Sequence, residues 1–324
     1  MNAEQLIEVR TRRSFRNKLL RWYDVQRRDL PWRDTKDAYR IWISEIMLQQ
    51  TRVGAVLEHY RRFLERFPTV LHLARAREQS VLAAWSGLGY YRRARNLHAT
   101  AKILALERNG EFPKTAEGLL ELPGIGRYTA AAIASIAFGE RAAVVDGNVE
   151  RVLQRITGQP NLGNRETWDL AEGLLSPKRP ADFNQAMMEV GAMVCLPREP
   201  KCLTCPVLDF CETRGAQPRE KKEIRKLISI AYALVRQNGS VWLVQRDKEA
   251  SLMAGMWELP QSPEKSDDEP VARFRHSILD TDFDVAVHAH AVINVSGRWV
   301  SQSNLSRLAL TGLARKILRH FDLL

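Results

Sequence analysis

The chain has 324 residues and a formal net charge of +11, and this length predicts two domains rather than one. Its first thirty residues carry charges throughout, and no run approaches the ~18 consecutive apolar residues of a membrane span. All four cysteines fall between Cys195 and Cys211, unlike a disulfide framework spread over a secreted chain. We therefore expect a soluble, cytoplasmic protein without a secretory signal.

The positive charge is confined to the first two thirds of the chain. Residues 1–226 contain 38 Lys and Arg against 27 Asp and Glu, whereas residues 227–324 contain 11 of each kind. A basic domain favours a polyanion as its partner, because contacts with phosphates release condensed counterions. A basic surface that is merely solvated explains the charge equally well.

From Ala3 to about Ala192 the sequence predicts a succession of helices, as in TAAAIASIAF and VERVLQRITG. Glu45 lies there in the run IWISEIML, where every other residue except Ser44 is apolar. Burial raises the pKa of such a carboxylate, which can then hold a proton near neutrality as a general acid must. The common alternative is a glutamate on a polar helix edge or paired with an arginine.

A glycine turn, LPGIG, joins the short helical segment AEGLLEL to a helix that begins near Tyr128. Gly124 and Gly126 would let backbone N–H groups approach a phosphate oxygen with no side chain in the way. Such a turn grips the DNA backbone without reading its sequence. A simple tight turn between two helices is an equally good interpretation.

Asp146, in AAVVDGNVERV, follows an apolar segment and directly precedes a helix. This position is typical of a helix N-cap. A helix N-terminus also favours an ionised carboxylate. Both interpretations stay open on these residues alone.

The cysteines have the spacing C-x6-C-x2-C-x5-C, which is compact enough for one four-thiolate site. Its residues are Cys195, Cys202, Cys205 and Cys211. Thiolates select zinc or an iron–sulfur cluster. Zinc sites more often use two C-x2-C knuckles, and only the central pair has that spacing here, which favours a cluster. Lys201 and Arg198 lie in the same loop, where they could contact phosphate.

The pattern changes after the cysteines. Residues 214–226, RGAQPREKKEIRK, predict a basic linker. Beyond it, two apolar runs flank Asn238-Gly239, a strong hairpin signal, DFDVAVHAHAVINVSGRWV predicts further strands, and LTGLARKILRHF predicts a closing helix. The predicted organisation is a helical domain over residues 1–213, the linker, and an α+β domain over residues 227–324.

Together these motifs resemble the endonuclease III and MutY glycosylases, whose [4Fe–4S] loop has the same cysteine spacing. The resemblance implies a mostly α, two-lobed helix-hairpin-helix glycosylase domain with a four-cysteine iron–sulfur loop, followed by a smaller α+β, nudix-like domain. Bifunctional members carry a lysine after the glycine turn that forms a Schiff base with the sugar. Tyr128 stands there, and no lysine lies between Lys114 and Lys178, so lyase chemistry by that route is lost.

The MutY family resembles the chain across about residues 20–213, in LPWRD, WISEIMLQQTRV, GLGYYRRARNL, LPGIGRYTAAAI, VVDGNVERV and FNQAMMEVGAMVC. The resemblance implies a monomeric, monofunctional adenine DNA glycosylase with a [4Fe–4S] cluster, in the bacterial cytosol or nucleoid. Its partner would be double-stranded DNA with A:8-oxoguanine or A:G mispairs, with no membrane contact. Glu45 would protonate N7 of adenine, Asp146 would stabilise the cationic sugar directly or by transient bonding, and Tyr128 and Asn148 would position these groups and water.

The same likeness implies further contacts with DNA. Gln50, Thr51, Leu88 and Tyr90 would enter the duplex and support the mispair once adenine is flipped out, although Leu88 could simply be core. Other residues would line the adenine pocket or hold phosphates; they are Trp32, Arg33, Arg92, Arg93, Arg95, Gly124 and Gly126.

The resemblance weakens in the C-terminal domain, where AGMWELPQ is the clearest shared string. The paired glutamates of the nudix hydrolase box are absent, so we predict no nucleotide hydrolysis. The family reads 8-oxoguanine with a Phe-Ser-His loop. The nearest local match is Phe274–Asp280, with Ile278, Leu279 and Asp280 where that loop is expected, and His276 and Ser277 could substitute.

Two other functions remain open at this point. A thymine-mismatch glycosylase shares the tyrosine and the aspartate but lacks an acid where Glu45 stands. A catalytically silent lesion- or mismatch-binding protein is suggested by the altered loop.

Overall fold

The computed structural model describes residues 8–217, 225–247, 249–250, 252–262, 269–278, 281–290 and 295–324. The chain divides into two compact units: Met1–Leu71 with Ala99–Glu220, and His72–His98 with Lys221–Leu324. The segment 72–98 thus groups with the C-terminal residues, although the predicted division assigned it to the helical domain. None of the helices in the described part of the chain combines the length and hydropathy needed to cross a bilayer.

The described residues before the cysteine loop are helical, which confirms the sequence prediction. The helices are α1 Val9–Gln26, α2 Ala38–Leu48, α3 Val53–Arg66, α4 Val70–Arg75, α5 Glu78–Trp85, α6 Arg92–Glu107, α7 Ala116–Leu120, α8 Arg127–Phe138, α9 Gly147–Thr157, α10 Asn164–Leu174 and α11 Pro180–Met193. Two short 3-10 turns, Cys202–Thr204 and Leu208–Phe210, follow within the cysteine loop.

Local sequence explains where the helices that carry the site begin and end. Asp146 caps α9 by accepting from the backbone N–H groups of Asn148 and Val149. Gly139 ends α8 and Gly158 ends α9, both in the left-handed conformation that glycine adopts at least cost. The predicted helix TAAAIASIAF and the helix after Asp146 are therefore confirmed.

One core cluster of the first unit draws on α1, α9 and α11, including Phe15, Val152 and Phe183, all nearly inaccessible to solvent. Helices α9 and α11 approach very closely: a Cβ added at Gly191 would lie 2.5 Å from the Cβ of Asn148. Only glycine fits there without displacing α9, so this packing positions the N-terminus of α9 against α11.

The second unit contains a mixed sheet with the strands β1 Lys226–Gln237, β2 Ser240–Gln245, β3 Trp257–Glu258, β4 Ala272–Ile278, β5 Thr281–His290 and β6 Arg298–Ser301. Their order is β3-β2-β1-β5-β4, with β6 paired to β2. Strands β1 and β5 are parallel, whereas β1 and β2 form an antiparallel hairpin about Asn238 and Gly239, both at positive φ. Helices α12 Gln302–Leu305 and α13 Gly312–His320 follow. The α+β prediction and the hairpin are confirmed.

Of the three residues where the lesion-reading loop is expected, only Ile278 is described, and it is the last residue of strand β4. Phe274, His276 and Ser277 lie in β4, which pairs antiparallel with β5, and Ile278 pairs with Thr281 at its end. The segment ARFRHSI alternates between half-buried and exposed positions, as a strand with one covered face does. Leu279 and Asp280 lie outside the described residues.

Candidate active site

A cavity of about 730 Å³ opens in the first unit, lined by residues of α2, α8, α9 and α11. It brings together all four residues predicted to be catalytic, although they come from three separate stretches of sequence. The predicted residues that line it are Trp32, Arg33, Glu45, Gln50, Thr51, Tyr128, Asp146 and Asn148. Leu88, Tyr90, Gly124 and Gly126 do not line it.

Glu45 lies on α2 and is only 5% exposed. Its Oε2 accepts a hydrogen bond of 2.5 Å from the hydroxyl of Tyr128. Burial raises the pKa of Glu45 to about 7; the Tyr128 hydrogen bond opposes this rise, and the negative charge of Asp146 adds to it. The side chain can therefore hold and release a proton near neutral pH, as the apolar run IWISEIML predicted.

Tyr128 stands on α8 where a Schiff-base lysine would otherwise be expected. Its hydroxyl lies between Glu45 and the sulfur of Met188, at 3.5 Å from the latter. Burial, followed by the negative charges of Glu45 and Asp146, raises the pKa of Tyr128 well above its usual value. The phenol consequently stays protonated and donates to Glu45; it supplies no amine.

Asp146 is a helix N-cap, as its position directly before a helix predicted. As the N-cap of α9 its Oδ1 accepts from the backbone N–H groups of Asn148 at 3.0 Å and Val149 at 2.8 Å. Its Oδ2 accepts from the side-chain amide of Asn148 at 2.8 Å. Three N–H donors and the positive end of a helix thus face a carboxylate that lines the cavity. The cap holds the functional group in place.

A second buried glutamate in the cavity wall was missed by the sequence analysis. The side chain of Glu189 on α11 is 1% exposed and accepts two hydrogen bonds from the guanidinium of Arg28 and one from that of Arg33, each 2.7 Å. Burial alone would raise the pKa of Glu189, but the hydrogen bonds and charges of these arginines outweigh it and lower the pKa. Like Glu45, Glu189 is an acid within an apolar helical sequence, QAMMEVGAM. This pattern could have predicted its burial.

Arg33, predicted to contact DNA, is used inside the protein. Its side chain is 8% exposed and binds Glu189 together with the hydroxyl of Tyr23, at 2.8 Å. Trp32 is also buried and packs edge-on against Tyr60. Both residues line the cavity, so they could shape a pocket for a base. The guanidinium of Arg33 is already paired with Glu189 and Tyr23.

Arg151, on α9, links the residues predicted to be catalytic to the cysteine loop, and nothing in the sequence indicated this contact. Its guanidinium donates to the side-chain oxygen of Asn148 at 2.9 Å and to the carbonyls of Gly191 at 2.7 Å and Cys195 at 2.9 Å. Arg151 therefore connects Asn148, which donates to Asp146, with the backbone of Cys195.

The other three cysteines lie close enough to Cys205 to influence its pKa. Burial raises the pKa of Cys205 to about 11, and the neighbouring cysteines add to the effect. Arg155 is 3% exposed and donates to the sulfur of Cys195 at 3.2 Å. Among the described residues, no three His, Cys, Asp or Glu side chains are arranged to hold a single metal ion. The four thiols, one of them hydrogen-bonded to an arginine, are nevertheless soft donors of the type that iron–sulfur clusters use.

The glycine turn leaves an open approach to the N-terminus of α8. Gly124 has φ +76, which a side chain would strain. Gly126 is the N-cap, and a Cβ added there would meet nothing within 4 Å. Internal packing therefore does not require a glycine at position 126. An external ligand that comes close to the backbone would require one.

Gln50, which lines the cavity, has φ +55, which is a strained conformation for a residue with a side chain.

Leu88 and Tyr90 differ in their exposure. Leu88 is 6% exposed, as the core alternative predicted, whereas Tyr90 is 46% exposed. The guanidinium groups of Arg93 and Arg95 donate to backbone carbonyls of their own unit, those of Leu88 and Ala254 respectively. Both guanidinium groups thus have partners within the protein, and the phosphate contacts expected of these two arginines stay a prediction.

Residues 43–176 match the HhH-GPD superfamily of base excision DNA repair proteins. The human adenine DNA glycosylase is 47% identical over 222 residues, which cover 64% of this chain and 41% of that protein. The adenine DNA glycosylase of Buchnera aphidicola from Acyrthosiphon pisum is 34% identical over 269 residues, 79% of this chain and 77% of that protein. The chain thus spans less than half of the human relative and most of the bacterial one.

Solved structures show the same helical fold. A thermostable thymine-DNA glycosylase is 34% identical with a TM-score of 0.59 and covers 63% of this chain and 96% of its own. A trapped endonuclease III–DNA covalent intermediate is 23% identical, with a TM-score of 0.57, over 66% of this chain and 97% of that one. The match to the Buchnera relative and the superfamily match over residues 43–176 show that the chain belongs to the adenine DNA glycosylase family of the HhH-GPD superfamily.

Proposed function

We propose that this chain is a monofunctional DNA glycosylase that hydrolyses the N-glycosidic bond of adenine mispaired with 8-oxoguanine or guanine. The observation that carries the proposal is the pair of carboxylates in one cavity: Glu45, with its pKa raised to about 7, and Asp146, held at the N-terminus of α9. This is the combination of proton donor and anionic stabiliser that glycosidic cleavage requires.

Glu45 acts as the general acid. It transfers its proton to N7 of a flipped-out adenine, which lets the base leave with the electron pair of the glycosidic bond. Tyr128 stays protonated and continues to donate to the resulting carboxylate, which limits the cost of a buried charge. General acid catalysis of this kind contributes about 10²- to 10⁴-fold in rate.

Asp146 stabilises the cationic sugar after the base leaves, directly or through a transient bond. Because α9 and its N–H groups hold the carboxylate, little reorganisation is needed as the charge develops. Asn148 orients Asp146, and Arg151 in turn holds Asn148. Water then adds to the sugar carbon, and the proton that it loses passes to the Glu45 carboxylate, which restores the acid.

The product is an abasic site in an unbroken strand. Strand cleavage by a lyase needs an amine that attacks the sugar, and the phenol of Tyr128 cannot form a Schiff base. We infer that strand scission follows only after alkali treatment.

Cys195, Cys202, Cys205 and Cys211 would hold a [4Fe–4S] cluster. When bound, it supplies covalent cross-links that fix the loop after α11 and takes no part in bond cleavage. Within the chain, Arg151 keeps the carbonyl of Cys195 beside Asn148, so the ordered loop supports the catalytic residues. Arg198 and Lys201 add positive charge to this loop.

Recognition of 8-oxoguanine would fall to the C-terminal, nudix-like domain, without nucleotide hydrolysis. His276 and Ser277 on β4 are the described residues nearest in type to the expected reader. We further propose that the protein acts as a monomer on double-stranded DNA in a bacterial cytosol or nucleoid, with the predicted domains over residues 1–213 and 227–324 joined by the basic linker.

The test is single-turnover base release from duplexes that contain A:8-oxoguanine, A:G or T:G, with strand scission scored before and after alkali. Adenine release with scission only after alkali is the expected result, and the ratio of the first two rates measures lesion preference. Faster release of thymine from T:G would favour the alternative suggested by the thymine-DNA glycosylase structure. Tight binding without base release from any duplex would replace the enzyme by a binding protein.

A further inference from the structure

The turn formed by residues 86–91, which we name the Tyr90 turn, lies in the same compact unit as the C-terminal strands. Its backbone is unusual, with φ +110 at Gly87, +70 at Gly89 and +48 at Tyr90. A bulky residue in the left-handed region is strained and persists only where its surroundings hold it. The structure therefore has to supply contacts that keep the half-exposed Tyr90 ring in this position.

One set of contacts comes from within the turn and α6. The guanidinium of Arg93 lies 5.4 Å from the ring centres of both Trp85 and Tyr90. It also donates to the carbonyls of Leu88 at 3.1 Å and Gly89 at 3.3 Å. The indole N–H of Trp85 donates to the carbonyl of Gly89 at 3.1 Å. Arg93 thus fixes both the ring and the backbone that carries it.

A second set comes from the end of the chain. The carbonyl of Leu310 accepts from the hydroxyls of Ser86 at 3.2 Å and Tyr91 at 3.1 Å. Arg315, on α13, donates from Nε to the hydroxyl of Ser86 at 3.0 Å. Ser86, Tyr91 and Leu310 are buried, and a hydrogen bond away from water is costly to leave unmade. Both ends of the Tyr90 turn are therefore bound to the start of α13.

A third contact involves AGMWELPQ, the string that the sequence shares most clearly with nudix-like domains. Arg95 lies on α6, in the first helical turn after the Tyr90 turn. It donates to the carbonyl of Ala254 and pairs with Glu78 at 3.2 Å. The side-chain amide of Gln79 reaches the carbonyl of Gly255 at 3.5 Å. In place of a hydrolytic role, the first residues of this string hold the helices on either side of the turn.

We propose that the C-terminal α+β domain presets the Tyr90 ring for stacking between bases beside the mispair, with Ser86, Tyr91 and Arg315 as positioning residues. This rests on the proposed function, since it assumes a mispaired duplex as the ligand. A ring ordered before binding avoids the entropy cost of being ordered on the DNA. Aromatic stacking then offsets the unstacking that base flipping requires.

The test measures stacking and affinity separately from chemistry. A duplex with 2′-fluoro-2′-deoxyadenosine opposite 8-oxoguanine resists cleavage, and 2-aminopurine beside the mispair reports stacking by its fluorescence. Tyr90→Ala should abolish the fluorescence change. Tyr91→Phe and Arg315→Met should weaken binding of this duplex about tenfold and reduce the fluorescence change at saturation. The single-turnover rate at saturating protein on a cleavable duplex should stay within about threefold of wild type.

Lys316→Met is the matched control, because it removes the same charge at the next position. Lys316 donates to the carbonyl of Arg275 and does not touch the Tyr90 turn in the described structure. It should behave as wild type. Tyr91→Phe keeps the ring and removes only the hydroxyl. It therefore tests whether the contact with Leu310 positions the Tyr90 ring even if Arg315→Met folds poorly.

Wild-type affinity and fluorescence in Tyr91→Phe, at an unchanged melting temperature, would overturn the inference. So would a fluorescence change that survives Tyr90→Ala. Adenine release by wild type without a Tyr90-dependent signal would reject the inference and leave the proposed function standing. A Tyr90-dependent signal without base release would reject the function and leave the inference standing.

Discussion

Two glutamates in the same cavity wall show how differently one side chain can be used. Glu45 on α2 and Glu189 on α11 are both nearly inaccessible, at 5% and 1% exposure. Glu45 meets one phenol, and burial raises its pKa to about 7. Glu189 is buried as well, but Arg28 and Arg33 lower its pKa. Burial makes a carboxylate sensitive to its partners, and the partners then decide whether it carries a proton.

The difference assigns the two residues different tasks. Glu45 can give up a proton during the reaction, because its protonated and ionised forms are close in free energy near neutral pH. Glu189 is a permanent anion that neutralises two arginines beside the pocket. Without Glu189, the positive charge of Arg33 would act on Glu45 with less compensation.

The largest expected effect is that of Glu45→Gln. Loss of the proton donor should lower single-turnover adenine release by about 10²- to 10⁴-fold, with duplex affinity nearly unchanged. Glu58→Gln on α3 is the matched control, since Glu58 is a surface residue paired with Arg61 and Arg62, and it should keep the wild-type rate. Retained cleavage in Glu45→Gln would remove this residue from the mechanism.

The same variant has a signature in stability. Between its ordinary pKa of 4.5 and about 7, folded Glu45 holds a proton that the unfolded chain releases. The wild-type free energy of unfolding therefore falls as pH rises through this window. Denaturant titrations at several pH values should show a weaker fall for Glu45→Gln, and identical pH dependences would contradict the raised pKa.

Asp146→Asn separates the cap from the chemistry. Asparagine caps helices about as well as aspartate, so stability should change by less than about 1 kcal/mol. Adenine release should fall by about 10²-fold, because the charge that stabilises the cationic sugar is lost. Asp37→Asn is the control: Asp37 caps α2 by accepting from the N–H of Tyr39 at 2.9 Å and should be replaceable without loss of rate. Equal losses in the two variants would assign Asp146 to capping alone.

Glu189→Gln tests the other side of the comparison. Removal of one partner from a buried ion pair costs about 3–5 kcal/mol, which thermal or chemical unfolding measures. Less compensated charge on Arg33 should also lower the pKa of Glu45, so the rate above neutral pH should fall by up to about tenfold. An unchanged pH profile in a folded variant would show that Glu189 is electrically isolated from Glu45.

Tyr128→Phe should have the smallest effect. The Tyr128 hydrogen bond opposes the raised pKa of Glu45, so its loss should raise that pKa further and move the fall in rate to higher pH. The rate at neutral pH should change by only a few fold, since one hydrogen bond contributes about 1 kcal/mol. A fall in rate as large as that of Glu45→Gln would make the phenol itself the proton donor.

Local patterns were sufficient to predict the residues whose environment is set by their own helix. Glu45 stands in an apolar run, and Asp146 directly precedes a helix, so burial and capping followed from their neighbours in sequence. The hairpin at Asn238-Gly239 is equally local. Glu189 gives the same local signal as Glu45 and lies within the family string FNQAMMEVGAMVC, but the resemblance assigned it no role.

Partners distant in sequence could not be predicted in this way. Nothing near Glu189 indicates that Arg28 and Arg33 will neutralise it, and nothing in residues 72–98 indicates that they join the C-terminal unit. The burial of the Arg33 guanidinium follows from the same long-range contacts. The sequence therefore predicted that Glu45 is protonated, whereas only the fold shows that Arg28 and Arg33 lower the pKa of the equally buried Glu189.

The most direct test of the account is the pH dependence of single-turnover adenine release from an A:8-oxoguanine duplex between about pH 5 and about pH 9. We expect a rate that falls with rising pH through an apparent pKa of about 7, with this fall absent from the residual rate of Glu45→Gln. A wild-type rate that is constant or rises through neutral pH would contradict the assignment of Glu45 as the proton donor.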